Sequence, residues 1–216
     1  HFEMCVLQKA NLEQARCSRA RWKMCALNKA RAAKALFDHA HLGKCLFKDM
    51  DIDQADFSRA SLPQTMFHRV RGKRVSFLGA DLTKTRMGGN TELPHTDFRG
   101  IAMRNGCFRD SDLRFSSFSG AMMDSSIFEA CDLRESVFYR ARARKCRFNK
   151  SDLEYADMRG VDLLSGSLRK ARLVNTNLGA SNLFGVDFYK AVISNTVFTY
   201  ANLKRTLLHN RTDLLE

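Results

Sequence analysis

The sequence predicts an all-β solenoid, a four-sided coil of extended backbone wound about ten times. Three regularities in its 216 residues predict it. A bulky apolar residue returns at every fifth position, a small residue stands two places before each, and phenylalanine returns every ten positions. A period of five fits neither the 3.6-residue repeat of a helix nor the two-residue alternation of a flat strand.

The first run of pentads, 1–87, counts in fives from Phe2 to Met87. One extra residue intervenes within "GGNTE" (88–92), and a second run, 93–208, counts from Leu93 to Leu208. Only Cys17, Ala32, Gly72 and Ala143 depart from Leu, Phe, Met, Ile or Trp at these centres. Two places earlier, only Met50 and Ile101 depart from Ala, Cys, Ser, Thr, Gly or Val. Each pentad thus sends a large side chain inward at its centre and a small one inward two residues before. The residue between them points outward, as alternation along extended backbone requires. The earlier residue is small because successive sides of a narrow coil converge there, and added methylenes would overpack the core.

Phe37, Phe47, Phe57, Phe67 and Phe77, then Phe98, Phe108, Phe118, Phe128, Phe138 and Phe148, are centres ten apart, and Cys5, Cys25 and Cys45 lie twenty apart. A repeat of twenty means four pentads per coil, with phenylalanine ladders on two opposite sides. About ten coils at ~4.8 Å each make a rod ~50 Å long. Pro63 and Pro94 each follow a centre, outside the core. The chain reads as one domain, 1–216, with 209–216 as a C-terminal tail. The repeat is in phase from Phe2, and a bare solenoid end exposes strand edges. The domain is therefore expected to be part of a longer protein.

The pentads "ANLEQ" (10–14), "ADFSR" (55–59), "ADLTK" (80–84), "SDLEY" (151–155) and "ANLKR" (201–205) resemble the A(D/N)LXX motif of the pentapeptide-repeat family. The resemblance covers essentially the whole chain and implies a right-handed quadrilateral β-helix with a one-residue irregularity near 88–92. It implies no one function, because family members are diverse and mostly non-enzymatic.

Composition closes several routes. Hydrophobic content is 44%, within the globular range. No window approaches ~18 consecutive apolar residues, so no membrane span is expected, and no charged-then-apolar leader is visible. Six of the seven cysteines fall on inward slots without a CxxC pair, which reads as core thiols of a reducing cytoplasm. No GxGxxG, P-loop, HExxH or GxSxG motif occurs. His39 and His41 fall on outward slots, and most aspartates fill the D/N slot of the repeat. No enzyme, metal or cofactor is expected. The formal net charge of +13 permits attraction to polyanions without defining a site.

Candidate surfaces are columns, since residues a coil apart stack. Sides are numbered one to four from the pentad of Phe2, with the extra residue taken to bulge outward without changing sides. On side two the slot before the centre reads Val6, Ala26, Leu46, Met66, Arg86, Cys107, Ile127: an apolar stripe on an outer wall, which suits either a partner or the strand itself. Two places after the centre, the edge of side two reads Lys9, Lys29, Asp49, Arg69, then Asp110, Ala130, Lys150, Lys170, Lys190. Stacked like charges repel, so this column suits an acidic partner. Arg140, Arg142, Arg144, Lys145, Arg147 and Lys150 make a second basic patch. Tyr139, Tyr155, Tyr189 and Tyr200 all point outward, and Phe184 stands one coil from Leu164 on side one; these suit protein contacts or single-stranded bases.

Three functions follow as expectations. The first is a rigid, non-enzymatic protein–protein interaction module in a bacterial cytoplasm, or one exported by a specialised secretion system. Such repeat domains resemble the C-terminal portions of type III effectors and type VI accessory proteins, and "ANLKRTLL" (201–208) is similar to the latter. The second is a DNA-mimicking topoisomerase binder: some members of the family resemble B-DNA, bind DNA gyrase and protect it from quinolones. Glu92, Asp112, Asp132 and Asp152 form an acidic column on side three, but Arg114 and Arg134 flank it in a basic chain. The third is a nucleic-acid binder, favoured by charge alone and marked by steep salt dependence. The family resemblance also implies a homodimer through a C-terminal helical cap, which "LLHNRTDLLE" (207–216) is too short to establish.

Overall fold

The computed structural model describes residues 1–209. The helical cap considered for 207–216 lies, from residue 210 onward, outside the described residues.

Backbone hydrogen bonding explains the pentad slot by slot. Around Phe37, the Leu36 N–H donates to Ala15 O of the preceding coil (2.9 Å), while the N–H groups of Phe37 and His39 donate to Asp56 O and Ser58 O of the next coil (2.7 and 2.9 Å). The Ala40 N–H closes a turn onto Phe37 O (3.0 Å). One N–H per pentad, that of the residue after the centre, has no backbone partner in this scheme. The Asp or Asn before the centre accepts it: Ser58 N–H donates to Asp56 Oδ1 (2.8 Å), Thr83 N–H to Asp81 Oδ1 (3.0 Å) and Tyr189 N–H to Asp187 Oδ1 (2.8 Å). The D/N of the repeat is a local side-chain acceptor of the Asx-turn kind.

The coils stack in parallel with a twenty-residue step. β1 (Phe2–Glu3) and β2 (Trp22–Lys23) pair on side one. β3 (Ala26–Asn28), β4 (Leu46–Lys48), β5 (Met66–His68), β6 (Arg86–Gly88), β7 (Cys107–Arg109) and β8 (Ile127–Glu129) form a six-stranded parallel sheet on side two. β9 (Arg172–Val174) and β10 (Val192–Ser194) pair on side three. Isolated parallel bridges link the remaining sides. The irregularity keeps its side: Met66 stands beside Arg86, Arg86 beside Cys107, and Cys107 beside Ile127. The added residue is taken up at the corner of Gly88, Gly89 and Asn90, the last two at φ 66° and 62°.

Inside the coil, the two phenylalanine ladders face each other. On side four, Phe98, Phe118 and Phe138 stack with ring centres 4.7 Å apart. On side two, Phe108, Phe128 and Phe148 stack at 5.0 and 4.9 Å. Across the core the rings meet edge-on, Phe118 to Phe128 at 5.5 Å and 90°. Aromatic rings favour both arrangements because their faces are negative and their edges positive. All ten phenylalanines expected as core, Phe37 to Phe77 and Phe108 to Phe148, are fully buried.

The corners carry a rule that is visible in the sequence once the geometry is known. Among the described residues, the one two places after each centre up to Leu203 has positive φ, and where it is not glycine φ lies between 48° and 61°. Lys, Arg, Gln, His and even Phe115 and Tyr155 occupy this left-handed slot, but no Val, Ile or Thr does. A β-branched side chain there meets its own backbone, whereas unbranched ones cost about 1 kcal/mol relative to glycine. Lys34, exposed at φ 56°, tests the rule. Lys34→Gly is expected to leave the urea midpoint unchanged or raised, and Lys34→Val to lower stability by about 1–2 kcal/mol. Equal midpoints for the two variants would show that the corner does not select its residues this way.

Among the described residues, no helix is long and apolar enough to cross a membrane. All seven cysteines are free thiols, and burial pushes Cys131 and Cys146 up to about 12.

Candidate partner-binding face

Among the described residues, side two is the one wall on which six consecutive coils are joined as a continuous sheet. Its outer column is built by direct pairing, Val6 beside Ala26 and then through Leu46, Met66, Arg86, Cys107 and Ile127 to Arg147. Val6 is 71% exposed and Met66 41%; Leu46 and Ile127 are half-buried. β-Propensity accounts for a strand-forming Ile127. It does not account for an exposed Met66, whose unbranched thioether is a weak strand former and an adaptable contact residue. Arg86 interrupts the stripe at the bulged coil.

The expected basic edge is broken in its middle. Lys9, Lys29, Lys150, Lys170 and Lys190 are exposed at the corner between sides two and three. Arg69, however, is held by Asp49 of the preceding coil through Nε (2.5 Å) and Nη2 (3.0 Å). The hydrogen bond from Arg69 holds the Asp49 carboxyl below the usual carboxylate range. Leu164 and Phe184 stack outward on side one and are not brought onto side two. The Phe184 ring is covered by the Arg205 guanidinium, 5.2 Å from its centre.

The acidic column of side three is largely neutralised. Arg114 chelates Asp112 (2.9 and 2.7 Å) and lies 3.5 Å from Asp132. Arg134 chelates Asp132 (2.9 and 2.6 Å), and Arg71 Nε lies 3.4 Å from Glu92. Burial alone would raise the Asp112 carboxyl, but the Arg114 bonds outweigh it and hold it below its ordinary value. The same D-x-R fork recurs at Asp97–Arg99 and Asp157–Arg159. The spacing places Asp and Arg on adjacent outward slots, a pattern visible in the sequence itself.

A shallow cleft of about 1140 Å³ opens on side three, bordered by Asp51, Asp53, Arg71, Lys73, Asn90 and Glu92. It lies where Gly72 replaces a bulky centre. A Cβ at Gly72 would stand 2.9 Å from Ile52 Cγ1 and 3.0 Å from Val75 Cγ2. Among the described residues, no group of three His, Cys, Asp or Glu side chains could hold a metal ion.

Fold and faces together define a four-sided β-solenoid of stacked five-residue units. A family model described as pentapeptide repeats matches residues 51–89, 126–163 and 171–210 in eight copies, and the chain belongs to that family. Among solved structures it is similar to HetL, a pentapeptide repeat protein involved in heterocyst differentiation regulation from the cyanobacterium Nostoc sp. strain PCC 7120. That similarity is 20% identity over 97% of this chain and 92% of HetL, with a TM-score of 0.61. It is also similar to full-length QnrB1, a plasmid-mediated fluoroquinolone resistance protein, at 15% identity over 98% of this chain and 94% of that one, with a TM-score of 0.54. At these identities the likeness is one of fold. No curated protein matches the chain at a significant level.

Proposed function

We propose that the chain is a non-enzymatic, rigid protein-interaction module and that side two is its contact face. The observation that carries this reading is the apolar outer column on the six-stranded sheet, exposed at Val6 and Met66 and half-buried at Leu46 and Ile127. A solenoid of this kind presents side chains at fixed ~4.8 Å intervals and loses little entropy on binding. A bacterial secretion-associated setting belongs to the same proposal and rests on the resemblance of residues 201–208 alone. DNA mimicry is not favoured, because Arg71, Arg114 and Arg134 neutralise most of the acidic column that it would need.

The test is capture from a lysate of the source cells, with the native domain and a Leu46→Asp/Met66→Asp variant as baits. Circular dichroism would confirm that the variant folds. The expected result is a protein retained by the native domain and lost by the variant. Equal recovery on both baits would remove side two as the contact face.

A further inference from the structure

Side two changes character along the rod. Up to Ile127 its outer column is mostly apolar; it continues as Arg147, Ser167 and Asp187, the last paired with Arg169 at 2.8 Å, while lysines gather at the corner beside it. Most arginines of this chain find a carboxylate on a neighbouring slot, as Arg142, Arg144, Arg159 and Arg172 do. Lys145, Arg147, Lys150, Lys170 and Lys190 do not: among the described residues, none of them has a carboxylate within ion-pair distance. Lys150, Lys170 and Lys190 stand on successive coils at one corner, φ 61°, 56° and 55°, so their backbone positions repeat at about 4.8 Å. Like charges stacked this way repel. A carboxylate at the middle position would relieve the ladder, and the D-x-R forks show that this surface builds ion pairs elsewhere.

We propose that this face takes an acidic segment of a partner protein, with apolar side chains on the Leu46–Ile127 column and carboxylates against Arg147, Lys150, Lys170 and Lys190. The proposal rests on side two being the contact face and names the chemistry of its occupant. From Leu46 to Lys190 is seven coils, about 34 Å along the rod axis. Tyr189, the tyrosine on this face, favours carboxylates over nucleic-acid bases, and Tyr139 on side four is covered in the same way. Tyr189 carries Arg169 at 4.6 Å and Lys190 at 5.2 Å from its ring centre, and Tyr139 carries Arg140 at 5.1 Å and Arg159 at 5.7 Å. These rings hold cations in place and are not open platforms on which bases would stack. An apolar stripe, broken at Arg86, beside the cations also has no counterpart in a polyphosphate, but it suits a polypeptide that carries both kinds of side chain.

The experiment uses the whole chain and fluorescence anisotropy. The probe is a labelled peptide of about 24 residues, Leu- and Val-containing in its first half and Glu-rich in its second, about 36 Å long in helical form and so enough to span the face. An oligothymidylate of matched charge is the comparison. The expected result is peptide binding that weakens with salt. It should fall about tenfold in Lys150→Glu/Lys170→Glu/Lys190→Glu and also fall in Leu46→Asp/Met66→Asp. Lys170→Glu alone should weaken binding while raising the melting temperature, since it removes a repulsion. No peptide binding, binding unchanged in the lysine triple variant, tighter binding of the oligothymidylate, or a lower melting temperature in Lys170→Glu would each overturn the proposal. If cellular capture is lost in Leu46→Asp/Met66→Asp while the lysine triple variant binds the peptide normally, the face stands and its acidic occupant falls. Equal cellular capture by both baits would instead overturn the face itself.

Discussion

Phe118→Ala is expected to lower the unfolding free energy by about 3–5 kcal/mol, at the upper end for a single core truncation. Phe118 is fully buried in the side-four ladder, stacked on Phe98 and Phe138 at 4.7 Å, and meets Phe108 and Phe128 of the side-two ladder edge-on at 6.0 and 5.5 Å. Its removal leaves a cavity that cannot close, because the coil spacing is set by backbone hydrogen bonds above and below. A solenoid is also quasi-one-dimensional, each coil touching only its neighbours. The defect should therefore divide the rod into two units that unfold separately. Urea unfolding, followed with hydrogen exchange, would show the lost stability and earlier exchange in the coils around residue 118. A change below about 1 kcal/mol with unaltered exchange would mean that the neighbouring rings repack into the gap.

Gly72→Leu is expected to destabilise by about 3 kcal/mol, although leucine is the commonest residue at pentad centres. From the repeat alone, the substitution restores the consensus and should help. The structure reverses the sign. A Cβ at Gly72 already approaches Ile52 Cγ1 to 2.9 Å and the Ile52 backbone carbon to 3.0 Å, and a leucine must push the whole wall of side three outward. Gly72→Ala, with only the Cβ to place, should cost less than half as much. Thermal unfolding of the two variants decides the matter. A higher melting temperature for Gly72→Leu would show that the wall moves freely and that the cleft beside Arg71 and Glu92 is not a fixed feature.

These two sites mark the extent to which the sequence could be read. The inward slots were legible because each needs only its own residue and a period: Phe37 to Phe148 are large and Ala35 to Ala156 are small for reasons that hold at every coil. Gly72 has the same period but another outcome, since its environment depends on Ile52 one coil away and Val75 on the next side. The outward slots were legible as columns but not as charges. Arg69 read as one of a basic series and proved to be chelated by Asp49, twenty residues earlier. The acidic series of side three is tied up in the same way by arginines two residues or a coil away. Only the local D-x-R forks and the absence of β-branched residues from the left-handed corners could have been found in the sequence beforehand.

The sequence by itself determined the repeat, the four sides, the aromatic core and the D/N slot, whose acceptor role the hydrogen bonds then showed. Each is a local demand of one pentad, repeated until chance is excluded. Tertiary structure alone decided which charges remain without a partner, that the added residue at 88–91 bulges without turning the faces, and that one wall becomes a continuous sheet. These depend on which side chain of one coil meets which of the next, at distances where a single carboxylate makes the difference between a cation that is held and one that is free to bind.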